Sequence, residues 1–139
     1  MEKKVLVTGA SGFIGSFLVE GGLERGMQVW LVYVRAVAGN ICKIAVSSFA
    51  ELDFTDSDRL EEQLKQHKLE HGGWDYIIHC AGVTKCRDKA DFEIGNYWAT
   101  RHFIETLMRL EMLPEQFIYI SSLSIFGPIR EKDYSPICE

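Results

Sequence analysis

No apolar run in this chain approaches the ~20 residues that cross a bilayer; stretches such as Phe117 to Ile120 are far shorter, so no membrane partner is expected. Basic charge is not in excess either. Fifteen Lys and Arg stand against twenty Asp and Glu, a net charge of −5, which argues against a general nucleic-acid surface. Repeats, low-complexity tracts and linkers are missing. Met1-Glu2-Lys3-Lys4 runs straight into a strand pattern, leaving no room for a signal peptide, so the cytoplasm is the expected compartment. Cysteine is sparse, and Cys42, Cys80, Cys86 and Cys138 match no zinc or thioredoxin-type spacing. His67 and His71 lie four apart, but Lys65, Gln66, Lys68 and Glu70 around them read as a solvated helix face. No metal site is expected.

What is present is a core-forming composition, with 47% hydrophobic residues among 139, enough for one domain and too little for two. Strand-like and helix-like patterns alternate. Lys4 to Thr8 is a short β-branched run. A helix over 12–25 follows, with Ile14, Phe17 and Leu18 expected on its buried face and Gly26 as its stop. Gly21 and Gly22 inside it each cost about 1 kcal/mol relative to alanine. Further strands are expected over Gln28–Val34, between Ile44 and Leu52, over Trp74–Cys80 and over Gln116–Ser121. Thr55-Asp56-Ser57 offers cap side chains to a helix carrying Leu60 and Leu64, and a long helix covers about Asp88 to Glu111. Its apolar residues fall on two stripes, Phe103-Leu107-Leu110 and Tyr97-Ile104-Met108. Such alternation predicts an α/β fold, a doubly wound, Rossmann-type parallel sheet of about five strands in the order 3-2-1-4-5.

The strongest motif is Thr8-Gly9-Ala10-Ser11-Gly12-Phe13-Ile14-Gly15, between the first strand and the first helix. G-x-x-G-x-x-G places glycine where the chain turns sharply, approaches a pyrophosphate and packs helix on strand. Exposed N–H groups at the helix start then meet the phosphates. An ordinary glycine-rich turn is the plainer alternative.

This segment resembles the extended short-chain dehydrogenase/reductases, the NAD(P)-dependent epimerase/dehydratase and reductase group. Four further segments match in the family's order. Leu52-Asp53-Phe54 resembles the segment whose aspartate binds the adenine amino group, and His79-Cys80-Ala81-Gly82 the strand end beside the cofactor. Asn96-Tyr97-Trp98-Ala99-Thr100 resembles the N-x-x-[GA]-T helix start. Ser121 to Gly127 resembles S-S-x-x-V-Y-G, which makes Ser122 the counterpart of the family's catalytic serine or threonine. The resemblance implies cofactor contacts from Gly9, Ser11, Gly12, Phe13, Ile14, Gly15, Asp53, Phe54, Ala81, Gly82, Asn96 and Ser121. It also implies hydride transfer on a small molecule, a sugar nucleotide or carbonyl compound, and a homodimer built partly on the long helix.

Plainer readings stand beside these. Asp53 could cap the helix that starts nearby, Asn96 and Thr100 could be internal hydrogen-bonders on one helix face, and the two serines could form a turn. NAD-preferring relatives carry an acid at the end of strand two, yet no Asp or Glu occurs between Arg25 and Glu51. Arg35 stands where a guanidinium could clamp a 2′-phosphate, which favours NADP over NAD; a solvent-facing arginine is the alternative.

One family feature does not match. Y-x-x-x-K is expected ~20 residues beyond Gly127, where lysine lowers the tyrosine pKa for proton exchange. Tyr134 is followed four residues later by Cys138, and Pro136 disfavours helix at Ser135. Residues 1–139 are therefore expected to form an incomplete NAD(P)-binding domain without the Tyr-Lys helix or substrate domain, inactive alone. A non-catalytic dinucleotide-binding regulatory module is the rival reading.

Overall fold

The computed structural model describes residues 2–33 and 48–122. Arg35, Gly127, Tyr134, Cys42 and Cys138 lie outside the described residues. The elements run β1 (Lys4–Thr8), α1 (Phe13–Glu24), β2 (Gln28–Tyr33), β3 (Ser48–Glu51), α2 (Ser57–His71) and β4 (Tyr76–His79). Then come α3 (Lys89–Glu93), a π-helical turn (Ile94–Trp98), α4 (Ala99–Arg109) and β5 (Gln116–Tyr119). All strand pairs are parallel, in the order β3-β2-β1-β4-β5. The expected Rossmann-type topology is therefore observed.

Central β1 shows why the sheet is covered twice. Its alternating side chains serve opposite faces. Leu6 joins Trp30, Leu52, Leu60, Leu64, Ile77, Phe103 and Leu107, the core under α2 and α4. Val5 and Val7 join Val19, Val29 and Leu31 under α1. Burial of both faces accounts for the nearly continuous apolar strands.

On α1 the buried face differs from expectation. Gly15, Val19 and Gly22 are its buried residues and Leu18 packs half-buried against the same core, as expected, whereas Ile14 and Phe17 are exposed and Phe13 is 80% exposed. Small residues win that face because the helix lies almost on the sheet. A Cβ at Gly22 would stand 3.0 Å from Val29 Cγ2 and 3.7 Å from Val5 Cγ1. The helix-propensity cost of that glycine is thus exchanged for close packing. Gly26, at φ 68°, donates its N–H to Leu23 O, and Met27 N–H bonds Gly22 O. This pair of bonds is a Schellman stop.

Asp56 caps α2, accepting from Asp58 N–H (3.2 Å) and Arg59 N–H (3.1 Å). Leu60 and Leu64 are buried as expected, but so is His67, which corrects the solvated reading for that histidine alone. His67 stacks on Trp74 (ring centroids 4.2 Å apart, 20° between planes) and meets the edge of Trp30 at 4.7 Å. The two indoles extend the apolar face one turn beyond Leu64, so the polar neighbours in sequence lie on the other side. His71 stays exposed.

The long helix is one helical run interrupted by the π turn. Phe103 and Leu107 are fully buried, while Tyr97 and Met108 of the second stripe are exposed. No helix among the described residues is long and apolar enough to cross a membrane.

The buried imidazole makes stability pH-dependent. Burial first, then His71 and Lys4, lower the His67 pKa to about 4 from an ordinary 6.5. A neutral ring is therefore favoured by the fold. Its contribution is complete above pH 6.5 and is lost as pH falls from there through 4. Chemical denaturation between pH 7 and 4 should show a loss on the order of 1–2 kcal/mol from this ring, below full linkage because His67 keeps 8% of its surface exposed. His67→Phe should reduce the acid slope; an unchanged slope would contradict a neutral buried ring.

Candidate functional site

The sequence motifs converge on one edge of the sheet, where the C-terminal ends of the strands meet the N-terminus of α1. In a parallel α/β sheet this edge is where ligands collect. Gly9 turns the chain at φ 66°, a left-handed conformation that favours glycine. It also has no space for a side chain: a Cβ would lie 2.8 Å from Ala81 N and 2.8 Å from Cys80 C. A Cβ on Gly15 would overlap the carbonyl of Gly9 itself. Gly12 is different. Its backbone is ordinary (φ −80°, ψ 169°), and a Cβ there would approach only Gly9 O, at 3.2 Å.

The loop delivers an uncapped helix start. Gly12 N–H bonds Gly9 O at 3.0 Å, and no side chain caps α1. Ser11, Gly12, Phe13 and Ile14 are exposed around this positive helix end.

Asp53 follows β3 at the same edge. It does not cap α2, since Asp56 does. One carboxylate oxygen accepts from Thr55 Oγ1 (2.6 Å) and Thr55 N–H (3.1 Å), and the other lies 3.7 Å from Arg59 Nη1. The Thr55 hydroxyl, more than any other partner, holds the Asp53 carboxyl below the usual carboxylate range. Asp53 is therefore an ionised acceptor at this edge. Phe54 turns inward, 4.9 Å from the Phe103 ring and 5.7 Å from the His79 ring.

Beyond β4, Asn96 binds the loop backbone. Its Oδ1 accepts from Val83 N–H (2.8 Å) and its Nδ2 donates to Val83 O (3.0 Å). A Cβ on Gly82 would come within 2.7 Å of Asn96 Oδ1, so glycine there admits the amide. Asn96 sits in the π-helical turn; such turns widen a helix locally and favour functional positions. Ser121 and Ser122 follow β5 at the same edge and are exposed.

Sequence reasoning missed the part played by Thr8 and His79. Thr8 is fully buried and His79 nearly so. The Thr8 hydroxyl accepts from Cys80 N–H (3.1 Å) and Ala81 N–H (3.0 Å) and bonds His79 Nδ1 at 2.8 Å, while His79 Nε2 bonds Thr100 Oγ1 at 3.0 Å. The signal available was a polar residue ending each of two otherwise apolar strands.

With this geometry in place, comparison with known proteins is decisive at the level of family. The model of the NAD dependent epimerase/dehydratase family matches residues 5–137. The chain belongs to that family. Its five-stranded parallel sheet is the Rossmann-type sheet of that family's N-terminal cofactor-binding region. It is 26% identical over 150 residues to UDP-N-acetyl-alpha-D-glucosaminuronate decarboxylase of Bacillus cytotoxicus, covering 96% of this chain and 42% of that protein. It is 38% identical over 96 residues to dihydroflavonol 4-reductase of Arabidopsis thaliana, covering 66% of this chain and 23% of that enzyme. The fold matches the Bordetella bronchiseptica enzyme WbmH in complex with NAD+ at a TM-score of 0.68, with 22% identity over 91% of this chain and 42% of that one. The chain thus spans well under half the length of these relatives.

The glycines should separate by role. Gly15→Ala forces a methyl into Gly9's backbone and should destabilise the fold by about 1–3 kcal/mol, as overpacking does. Thermal denaturation checks this; an unchanged melting temperature would contradict the close approach.

Proposed function

We propose that the chain binds a nicotinamide dinucleotide along the C-terminal edge of its sheet and serves an epimerase, dehydratase or carbonyl reductase reaction. The observation that carries this reading is the uncapped start of α1, held open by two glycines that have no space for a side chain. The cradle suits a pyrophosphate: N–H groups of the loop and first turn face the phosphates, and Gly12 leaves room for their approach. The ionised Asp53 accepts a hydrogen bond from the adenine amino group. Ala81, Gly82, Asn96 and Ser121 line the way to the nicotinamide, with Asn96 acting by fixing the loop. Ser122 hydrogen-bonds the substrate oxygen. The bound cofactor supplies hydride acceptance and donation.

NADP is the favoured cofactor, supported by Arg35 and the absence of an acid between Arg25 and Glu51. NAD is the alternative, and WbmH is a relative in fold whose structure holds NAD+. The substrate is a sugar nucleotide or carbonyl compound, as the decarboxylase and reductase relatives suggest. Exposed Tyr97 of the π-helical turn and Met108 of α4 support a homodimer through this helical run.

Titration with NADPH, followed by tryptophan fluorescence, tests the binding. Gly12→Val should weaken binding at least about tenfold, because a side chain enters the pyrophosphate's space, with the far-UV dichroism unchanged. Binding at wild-type strength would reduce the loop to a turn. Arg35→Ala should weaken NADPH by about 1.5–3 kcal/mol and NADH far less; equal losses would remove the case for NADP.

A further inference from the structure

The buried polar chain beneath the loops has a direction. Thr8 Oγ1 accepts two backbone N–H groups, from Cys80 and Ala81. A hydroxyl has two lone pairs and one proton, so both acceptor positions are taken. The proton that remains is aimed at His79 Nδ1, 2.8 Å away. Nδ1 must then be unprotonated. Nε2 carries the ring hydrogen and donates it to Thr100 Oγ1 at 3.0 Å. Hydrogen-bond bookkeeping thus selects one of two neutral tautomers.

We propose that Thr8 and His79, the latter as the neutral Nε2–H tautomer, are positioning residues that set the spacing between the glycine loop and the 80–83 loop on which the dinucleotide lies. The role rests on the cofactor reading given above. Thr8 immediately precedes Gly9, and Gly9 touches the backbone of Cys80 and Ala81. The hydroxyl that draws those two amides in therefore fixes how closely the two loops meet. His79 holds that hydroxyl in orientation and ties it to α4 through Thr100, one helical turn after Asn96, which grips the other end of the same loop.

A second proton on His79 would defeat the arrangement. Nδ1–H and the Thr8 O–H would face each other as donors, with no acceptor position left on Thr8. The surroundings oppose that proton. The ring packs against Phe54 after β3, Phe103 of α4, and Phe117 and Tyr119 of β5. Among the described residues, the phenol of Tyr119 is the one titratable group in ring contact with His79. Burial pushes the His79 pKa down to about 4, so the ring is neutral at neutral pH, and the hydrogen bonds select the tautomer.

The test combines NADPH titration with long-range 1H–15N NMR of the histidine rings in the full chain. Wild type at pH 7 should show His79 protonated at Nε2 alone, and its Nδ1 resonance should move on saturation with NADPH. Thr8→Val, which keeps the shape and removes the acceptor, should weaken NADPH about tenfold; Thr8→Ser, which restores the hydroxyl, should stay within about twofold of wild type. An Nδ1-protonated ring, or an Nδ1 resonance unmoved at saturation, would overturn the proposal whether or not Thr8→Val folds. So would wild-type affinity in a folded Thr8→Val. Failure of wild type to bind either NADPH or NADH is a separate outcome, which removes the cofactor reading and this role with it.

Discussion

Gly15 has no room for a β-carbon because the carbonyl of Gly9 already occupies that space, and Gly9 in turn rests on the backbone of Cys80 and Ala81. The first loop and the first turn of α1, neighbours in sequence, thus meet the distant exit of β4 backbone to backbone. Everything at the candidate site depends on this contact. It brings the helix start to the sheet edge, aims uncapped N–H groups outward, and sets the 80–83 loop beside them. A side chain at Gly9 or Gly15 would force these backbones apart.

Polar groups then lock what the glycines bring together. The Thr8 hydroxyl collects the two amides that follow β4, His79 orients that hydroxyl, and Asn96 closes the far end of the loop. These groups are buried or half-buried and satisfied, so they specify one arrangement instead of several. The exposed part of the edge is different in kind. It offers the positive end of a helix, an ionised Asp53 and two serines, a mixed polar surface suited to a ligand with phosphates and ring nitrogens.

Much of this was legible in the sequence. The strands followed from alternation and apolar runs, and the glycine spacing located the loop, because both signals are set by local geometry; the strand order rested on the crossover rule and the Rossmann topology. The buried face of α1 was misread for a physical reason. Periodicity arguments weigh large apolar side chains, and here the contact face is made by Gly15, Val19 and Gly22 while Phe13, Ile14 and Phe17 stay outside. His67 was misread because its partners, Trp30 and Trp74, come from other elements. The π turn around Asn96 leaves no mark in a pattern of apolar residues. For Asp53 the sequence allows both cap and ligand, because Asp56, three residues on, is an equally good cap and is the one that holds α2.

The central claim is that the start of α1 is a phosphate cradle. Backbone 1H–15N NMR with increasing NADPH tests it most directly, since the N–H groups concerned report for themselves. The largest shifts are predicted at Gly12, Phe13 and Ile14, with smaller ones near Asp53 and Ala81 and none in the His67–His71 turn of α2. A spectrum unchanged at millimolar cofactor, or shifts confined to residues away from this edge, would contradict it.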